Sequence, residues 1–148
     1  NKMMKHIRSL LFVVIVSLLG VHPVASHHSR DAYFDMTKMI EFSDVTAVSF
    51  KVVNPHSQLI FMAKDEQGNE VEWTAGILGA SHLRRAGIRN SLISPGDKLT
   101  VRGSPSRGDK KAMWLYTVVL ANGDVADLFG AIRTGVGIIT PASEVEKL

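Results

Sequence analysis

The sequence contains no cysteine, and this absence excludes several kinds of protein at once. Without cysteine the chain has no disulfide bonds, no thiolate metal site and no cysteine nucleophile. Its stability must therefore come from packing in a hydrophobic core. A chain of 148 residues is long enough to form one such core without cross-links.

The short patterns that mark many catalytic sites are also missing. The sequence has no nucleophile elbow, no phosphate-binding glycine loop and no histidine spacing typical of zinc hydrolases. A general base needs a partner, and His56 with a carboxylate such as Asp31 or Asp35 is a guess that no motif supports. The sequence therefore does not favour an enzyme.

The first 26 residues have the features of an export signal. A basic start, formed by Lys2, Lys5 and Arg8, precedes an apolar or small run that ends in small residues. The run is shorter than the roughly 20 apolar residues that span a membrane, which favours a cleaved signal peptide over a retained membrane anchor. We expect a leader at residues 1–26, a domain at residues 27–129 and a C-terminal extension at residues 130–148.

A large excess of positive charge is lacking once this leader is removed. The whole chain has 17 Lys and Arg against 14 Asp and Glu, and three of the basic residues lie in the leader. The remaining residues, 27–148, have 14 side chains of each sign. Binding of nucleic acid through a basic face is therefore disfavoured.

What is present is a series of short alternating segments typical of a mainly β protein. A first strand begins near Asp44 with Val48, Phe50 and Val52 on one face, and it ends at Asn54-Pro55 because proline cannot donate to the sheet. A short helix is expected at residues 78–86, and a polar lead-in at residues 28–39 should lie over the domain. The remaining strands are predicted at residues 57–64, 70–75, 98–103 and 112–120, and a tight turn leads from the last one into a short segment at residues 125–129.

Three consecutive strands, one helix and two more strands are the order of an OB-like five-stranded β-barrel. We therefore predict this fold, behind an N-terminal hydrophobic leader helix. Trp73, Trp114 and Tyr116 have the spacing of strand residues and are expected in the barrel core.

The histidine pair His27-His28 directly follows the predicted leader. If cleavage follows Ser26, the free amine and the imidazole of His27 form a bidentate chelate. If it follows Ala25, His28 becomes the third residue, and amine, two amides and imidazole can form a square-planar copper site. The alternative is that both histidines are simply polar residues beside an accessible cleavage site.

A third histidine, His56, follows Asn54-Pro55 at the predicted turn between the first two strands. Proline restricts the residue before it to extended geometry, so the turn should hold His56 in a fixed direction. His56 could then be a third metal ligand or bind a small molecule. The simpler alternative is an imidazole that satisfies buried carbonyl groups of the turn.

Two arginines on the predicted helix, Arg84 and Arg85, form another candidate binding site. They could hold an anionic group, with backbone donors from residues 79–81 at the helix start. The alternative is that they form an ordinary solvated face.

Six short motifs occur in a fixed order behind the leader. They are His27-His28-Ser29, Asn54-Pro55-His56, Trp73, Leu83-Arg84-Arg85-Ala86-Gly87, Pro95-Gly96-Asp97 and Gly103. With this order, the chain resembles the bacterial family catalogued as domain of unknown function 6152, over roughly residues 27–125. The resemblance implies a small exported β domain and brings no activity with it.

Two functions from different classes follow as hypotheses. The first is a periplasmic or secreted binding module that holds a copper-like metal ion or a small ligand through His27, His28 and His56. The second is a structural or accessory subunit, anchored in the inner membrane by the leader and docked on a larger envelope complex from the periplasmic side.

Overall fold

In the computed structural model, the described residues are 30–128 and 138–145. Seven strands form one sheet in the order β3-β2-β1-β4-β5-β6-β7. The predicted leader, His27 and His28 lie outside the described residues. The strands are β1 (Ile40–Lys51), β2 (Ser57–Lys64), β3 (Glu70–Ile77), β4 (Lys98–Pro105), β5 (Ala112–Val119), β6 (Val125–Asp127) and β7 (Ile138–Thr140).

A parallel pairing between β3 and β5 closes the first five strands into a barrel. Residues 74–76 of β3 pair with residues 112–114 of β5, so the strands follow one another around the barrel as β1-β2-β3-β5-β4. This closed order, with a helix between β3 and β4, confirms the prediction of an OB-like barrel.

In the described ranges, three short helices accompany the strands: α1 (Arg30–Tyr33), α2 (Ala80–Arg85) and α3 (Ala142–Val145), and residues 90–92 form a 3₁₀ turn. Leu83 of α2 is fully buried, and the helix ends before Gly87, whose φ of 80° is a left-handed conformation suited to glycine. None of the helices that the structure describes is long and apolar enough to cross a membrane.

The core fills the barrel with the inward side chains of β1 to β5. Leu59, Phe61 and Val101 have no exposed surface, and Ile88 after α2 closes one side of the cluster. Burying an aliphatic or aromatic side chain of this size contributes about 1.5–3 kcal/mol relative to exposure. This core fixes strands β1 to β5, and the loops that surround the candidate site connect these strands.

The long strand β1 bends so that it can pair with two neighbours. Its first half pairs with β4 and its second half with β2, with a break in register between Ala47 and Ser49. A bulge of this kind places two consecutive residues opposite one partner residue. Val48 is therefore 40 % exposed while Ala47 and Phe50 are buried. The expectation that Val48 shares the inward face of Phe50 was wrong for this reason.

Before β1, the chain crosses the outside of the barrel in a stretch that we call the N-terminal segment (residues 30–39). Phe34 forms an isolated bridge with Ser106, and the backbone N–H of Asp35 donates to the carbonyl of Pro105 at 2.9 Å. From the loop between β4 and β5, the backbone N–H of Arg107 donates to the carbonyl of Tyr33 at 2.9 Å. The segment therefore lies over the barrel, as expected.

The sequence did not predict β7. This strand pairs antiparallel with β6, so residues 138–140 of the predicted C-terminal extension continue the sheet. The backbone N–H of Ala142 at the start of α3 donates to Asp124 Oδ1 at 3.0 Å, which ties that helix to the turn before β6.

Candidate functional site

The β1–β2 turn (residues 52–56) carries His56, and other side chains satisfy its backbone. Buried Ser57 accepts a hydrogen bond from the Val53 N–H and donates one to the Val53 carbonyl, both at 3.2 Å. Asn54 Oδ1 accepts from the Ser81 N–H at 3.3 Å. The imidazole of His56 makes no hydrogen bond within the described residues and is exposed. The simpler expectation, that His56 satisfies buried carbonyl groups, is therefore wrong.

The imidazole of His56 and the indole ring of Trp114 form a T-shaped contact, with the ring centroids 5.8 Å apart and an angle of 83° between the planes. An edge-to-face arrangement is a favoured geometry for aromatic rings. Trp114 is only 4 % exposed. Because the buried ring of Trp114 does not move freely, this contact restricts the imidazole of His56 on the side that faces Trp114.

Trp114 lies on the outer face of β5 and not in the barrel core, which corrects the expectation from the sequence. Its neighbours Met113 and Leu115 belong to the core cluster, and successive side chains of a strand point to opposite faces. The N-terminal segment covers the ring instead. The centroid of Phe34 is 5.9 Å from that of Trp114, and the guanidinium carbon of Arg30 is 5.4 Å from it.

The other tryptophan behaves as predicted. Trp73 packs against the core cluster, and its ring lies 4.6 Å from that of Phe42 and 6.4 Å from that of Phe61. The third residue of the prediction, Tyr116, is on the outer face of β5, where its hydroxyl lies 3.3 Å from Ser104 Oγ and 3.7 Å from Met36 Sδ.

A cavity of about 310 Å³ opens between the N-terminal segment and the β1–β2 turn. We call it the His56 cavity, and most of its wall is apolar. The residues that line it are Arg30, Tyr33, Phe34, Pro55 and His56.

Among the described residues, no carboxylate lines the His56 cavity. Asp35 uses its side chain elsewhere: Oδ1 accepts from the Thr37 hydroxyl at 2.6 Å, and Oδ2 forms an ion pair with Lys38 at 3.3 Å. The hydrogen bond from Thr37 holds the pKa of Asp35 below its ordinary value of 3.8. The suggested pairing of His56 with Asp31 or Asp35 has no support in these contacts.

No three histidine or acidic side chains in residues 30–128 and 138–145 are close enough together to hold a metal ion. His56 is the one histidine or acidic side chain among the described residues that line the cavity, so a site with three such ligands would need others from outside those residues. A copper ion accepts imidazole nitrogen and amine nitrogen readily, so His56 has the right chemistry for such a site.

Arg84 and Arg85 lie on the exposed side of α2 and do not line the His56 cavity. Arg84 Nη2 donates to the Val52 carbonyl at 3.5 Å, and Arg85 Nε donates to the Ser81 carbonyl at 3.1 Å. The first bond joins α2 to the β1–β2 turn, and the second lies within α2.

The backbone donors expected at the start of α2 are already engaged. The Ala80 N–H donates to the Val53 carbonyl at 2.9 Å, and the Ser81 N–H donates to Asn54 Oδ1. The helix start therefore anchors the β1–β2 turn and does not offer these two donors to an anion.

Sequence reasoning missed Arg30 as a residue of the site. Its guanidinium atom Nη1 is buried and has no hydrogen-bond partner within the described part of the chain. The signal in the sequence was its position, directly after His27-His28-Ser29 and before the aromatic pair Tyr33-Phe34. Nothing in that pattern indicated that the segment would fold back onto Trp114.

The protein is an OB-like barrel whose N-terminal segment lies beside the β1–β2 turn. The His56 cavity lies between this segment and the turn. A family model described as "Family of unknown function (DUF6152)" matches residues 15–114, which is more than half of the chain. The protein belongs to this family, as the order of its motifs indicated. No curated protein and no solved structure matches the chain.

Proposed function

We propose that the protein is an exported binding module that holds a copper-like metal ion through His27, His28 and His56. The observation that supports this most strongly is that Arg30 and His56 line the same cavity. His28 precedes Arg30 by two residues, and successive Cα atoms are about 3.8 Å apart. The Cα atom of His28 is therefore within about 8 Å of that of Arg30 in any conformation of the chain.

The chemistry of the described part of the site favours nitrogen ligands. His56 is exposed, is held against Trp114 and forms no hydrogen bond within the described residues, so a ring nitrogen is available to a metal ion. Carboxylates suit magnesium and calcium, and none lines the cavity in the part of the chain that the structure describes. Imidazole and amine nitrogens are ligands that copper and similar ions prefer.

Export is a premise of this proposal because the chelate needs a free amine. Cleavage after Ser26 would place that amine on His27, and cleavage after Ala25 would place it two residues before His28. In both cases the periplasmic or secreted form would carry the ligands. A retained leader would remove the free amine and would favour the anchored accessory subunit.

The test is copper binding by chains that begin at His27 and at Ser26. We expect one Cu(II) per chain, with the nitrogen hyperfine pattern of imidazole ligands in electron paramagnetic resonance spectra. Replacing His56 with alanine should weaken binding at least tenfold. The matched control is His82→Ala, since His82 is an exposed histidine on α2 that does not line the cavity.

A second arm of the test concerns the amine. Acetylating the N-terminal amine of the chain that begins at His27 should lower its affinity for copper, because the blocked amine can no longer bind the ion. Copper uptake that is unchanged from the wild type both in His56→Ala and in the acetylated chain would contradict the proposal. Intact mass measured on protein from its host identifies the natural N-terminus. A leader still attached there would favour the accessory subunit.

A further inference from the structure

The His56 cavity contains an arginine that its described surroundings do not satisfy. Arg30 Nη1 is buried without a hydrogen-bond partner within the described residues, although its guanidinium carbon lies 5.4 Å from the centre of the Trp114 ring. The contact with the ring stabilises the cation but gives the N–H groups no acceptor. A buried donor without an acceptor destabilises the folded protein, and more so when it is charged.

The walls around this guanidinium are apolar. Tyr33, Phe34 and Pro55 contribute rings, and no Asp or Glu of residues 30–128 and 138–145 lines the cavity. The nearest acidic residue in the sequence, Asp31, is exposed, and its backbone carbonyl accepts a hydrogen bond from Arg107 Nε at 2.7 Å. The described part of the site therefore combines a cation that contacts Trp114 with apolar surface, and it contributes no anion of its own.

We propose that the His56 cavity binds a small monocarboxylate, with the carboxylate on the N–H groups of Arg30 other than the buried Nη1 and its apolar part against Tyr33, Phe34 and Pro55. Guanidinium and carboxylate groups match in planar geometry and form strong, charge-assisted hydrogen bonds. The cavity volume of about 310 Å³ is at the lower end for small-molecule sites. This inference does not rest on metal binding, because the anchoring group is Arg30 and not a histidine.

The experiment uses the chain that begins at His27, kept free of metal with a chelator, in a Trp73→Phe background. Trp114 is then the single tryptophan and reports on ligands beside Arg30 and His56. The probes are benzoate, its neutral isostere benzamide, and inorganic phosphate. We expect a saturable change with benzoate, at least tenfold weaker binding of benzamide, and weaker binding of phosphate because it lacks an apolar part.

Substitutions locate the anchor. Arg30→Gln should weaken benzoate binding at least tenfold and Arg30→Lys less, because lysine keeps the charge but not the planar fork. Arg89→Gln is the matched control, since Arg89 is an exposed arginine that does not line the cavity. Amide spectra of each variant check that the barrel remains folded.

Three results would overturn the proposal. They are the absence of a saturable response to benzoate, equal binding of benzoate and benzamide, and benzoate binding that survives Arg30→Gln in a folded chain. Phosphate binding as tight as benzoate would also contradict it, since the apolar walls would then contribute nothing. Copper binding is measured separately, so either proposal can fail while the other stands.

Discussion

The two turns at the ends of strand β2 are held in different ways. In the β2–β3 turn (residues 65–69), Asp65 Oδ1 accepts from the N–H groups of Gln67 at 2.9 Å and Asn69 at 2.8 Å. Gly68 has a φ of 85° and donates its N–H to the Asp65 carbonyl. These hydrogen bonds all stay within the turn, so they fix its shape locally.

The β1–β2 turn instead takes partners from other parts of the chain. Its Val53 carbonyl accepts from Ala80 of α2, and the Val52 N–H donates to Asn90 Oδ1 at 2.7 Å. Asn54 is bound to Ser81, also in α2. A turn fastened in this way has a fixed position on the barrel as well as a fixed shape. That difference explains why the β1–β2 turn, which carries His56, can support a preorganised site and the β2–β3 turn cannot.

Among the substitutions that test this difference between the two turns, Gly79→Ala should have the largest effect. A β-carbon on Gly79 would lie 2.5 Å from the Pro55 carbonyl oxygen and 2.8 Å from Asn54 Oδ1, so the turn or α2 must move. We expect a loss of about 2–3 kcal/mol in the free energy of unfolding, as for overpacked interiors, and weaker copper binding because His56 moves with the turn. Urea denaturation measures the first and copper titration the second.

The matched control is Gly108→Ala, because a β-carbon there meets no atom within 4 Å. It should change the free energy of unfolding by less than about 0.5 kcal/mol. Equal stability of the two alanine variants would mean that the β1–β2 turn is not fastened at Gly79.

A smaller effect is expected for Ser57→Ala. The buried hydroxyl group both accepts from and donates to Val53, so alanine leaves one N–H and one carbonyl without that partner. The expected loss is about 1–2 kcal/mol in urea denaturation. Ser94→Ala, at an exposed serine, should stay within about 0.5 kcal/mol of the wild type. An equally small effect at Ser57 would show that the hydroxyl does not hold the turn.

Much of the barrel could be predicted from the sequence because its signals are local. Strand β2 has the predicted bounds, residues 57–64, since alternating side chains lie between Pro55 and a glycine-containing turn. The order of strands and helix then leaves few ways to close a small barrel. The bulge at Val48 was not visible, because a register shift is decided by pairing with β2 and β4 and not by the alternation itself.

The site was less predictable because it depends on contacts between distant parts of the chain. Alternation along β5 separates Trp114 from Met113 and Leu115, but it does not say which face another segment covers. The position of Arg30 over Trp114 follows from hydrogen bonds between the N-terminal segment and the β4–β5 loop. Such long-range pairing leaves no periodic pattern. His56 was found because Asn54 and Pro55 carry turn signals of their own.

The smallest effect is expected in the β2–β3 turn, and it concerns how the stability that Asp65 contributes depends on pH. The hydrogen bond from the Asn69 N–H holds the pKa of Asp65 below its ordinary value of 3.8. A carboxyl group with a lowered pKa stabilises the folded state above 3.8, and this contribution is lost as the pH falls through the folded-state pKa. Asp65→Asn should therefore be less stable than the wild type at about pH 6, with the difference shrinking towards about pH 3.

Urea midpoints at the two pH values measure this difference, with Asp109→Asn as the control at an exposed carboxylate in the β4–β5 loop. Copper binding should be the same in Asp65→Asn as in the wild type, because the turn is closed by its own residues and does not line the His56 cavity. A loss of copper affinity in Asp65→Asn would show that the two turns are coupled through β2. The β2–β3 turn would then not be held independently of the β1–β2 turn, and the comparison made above would be wrong.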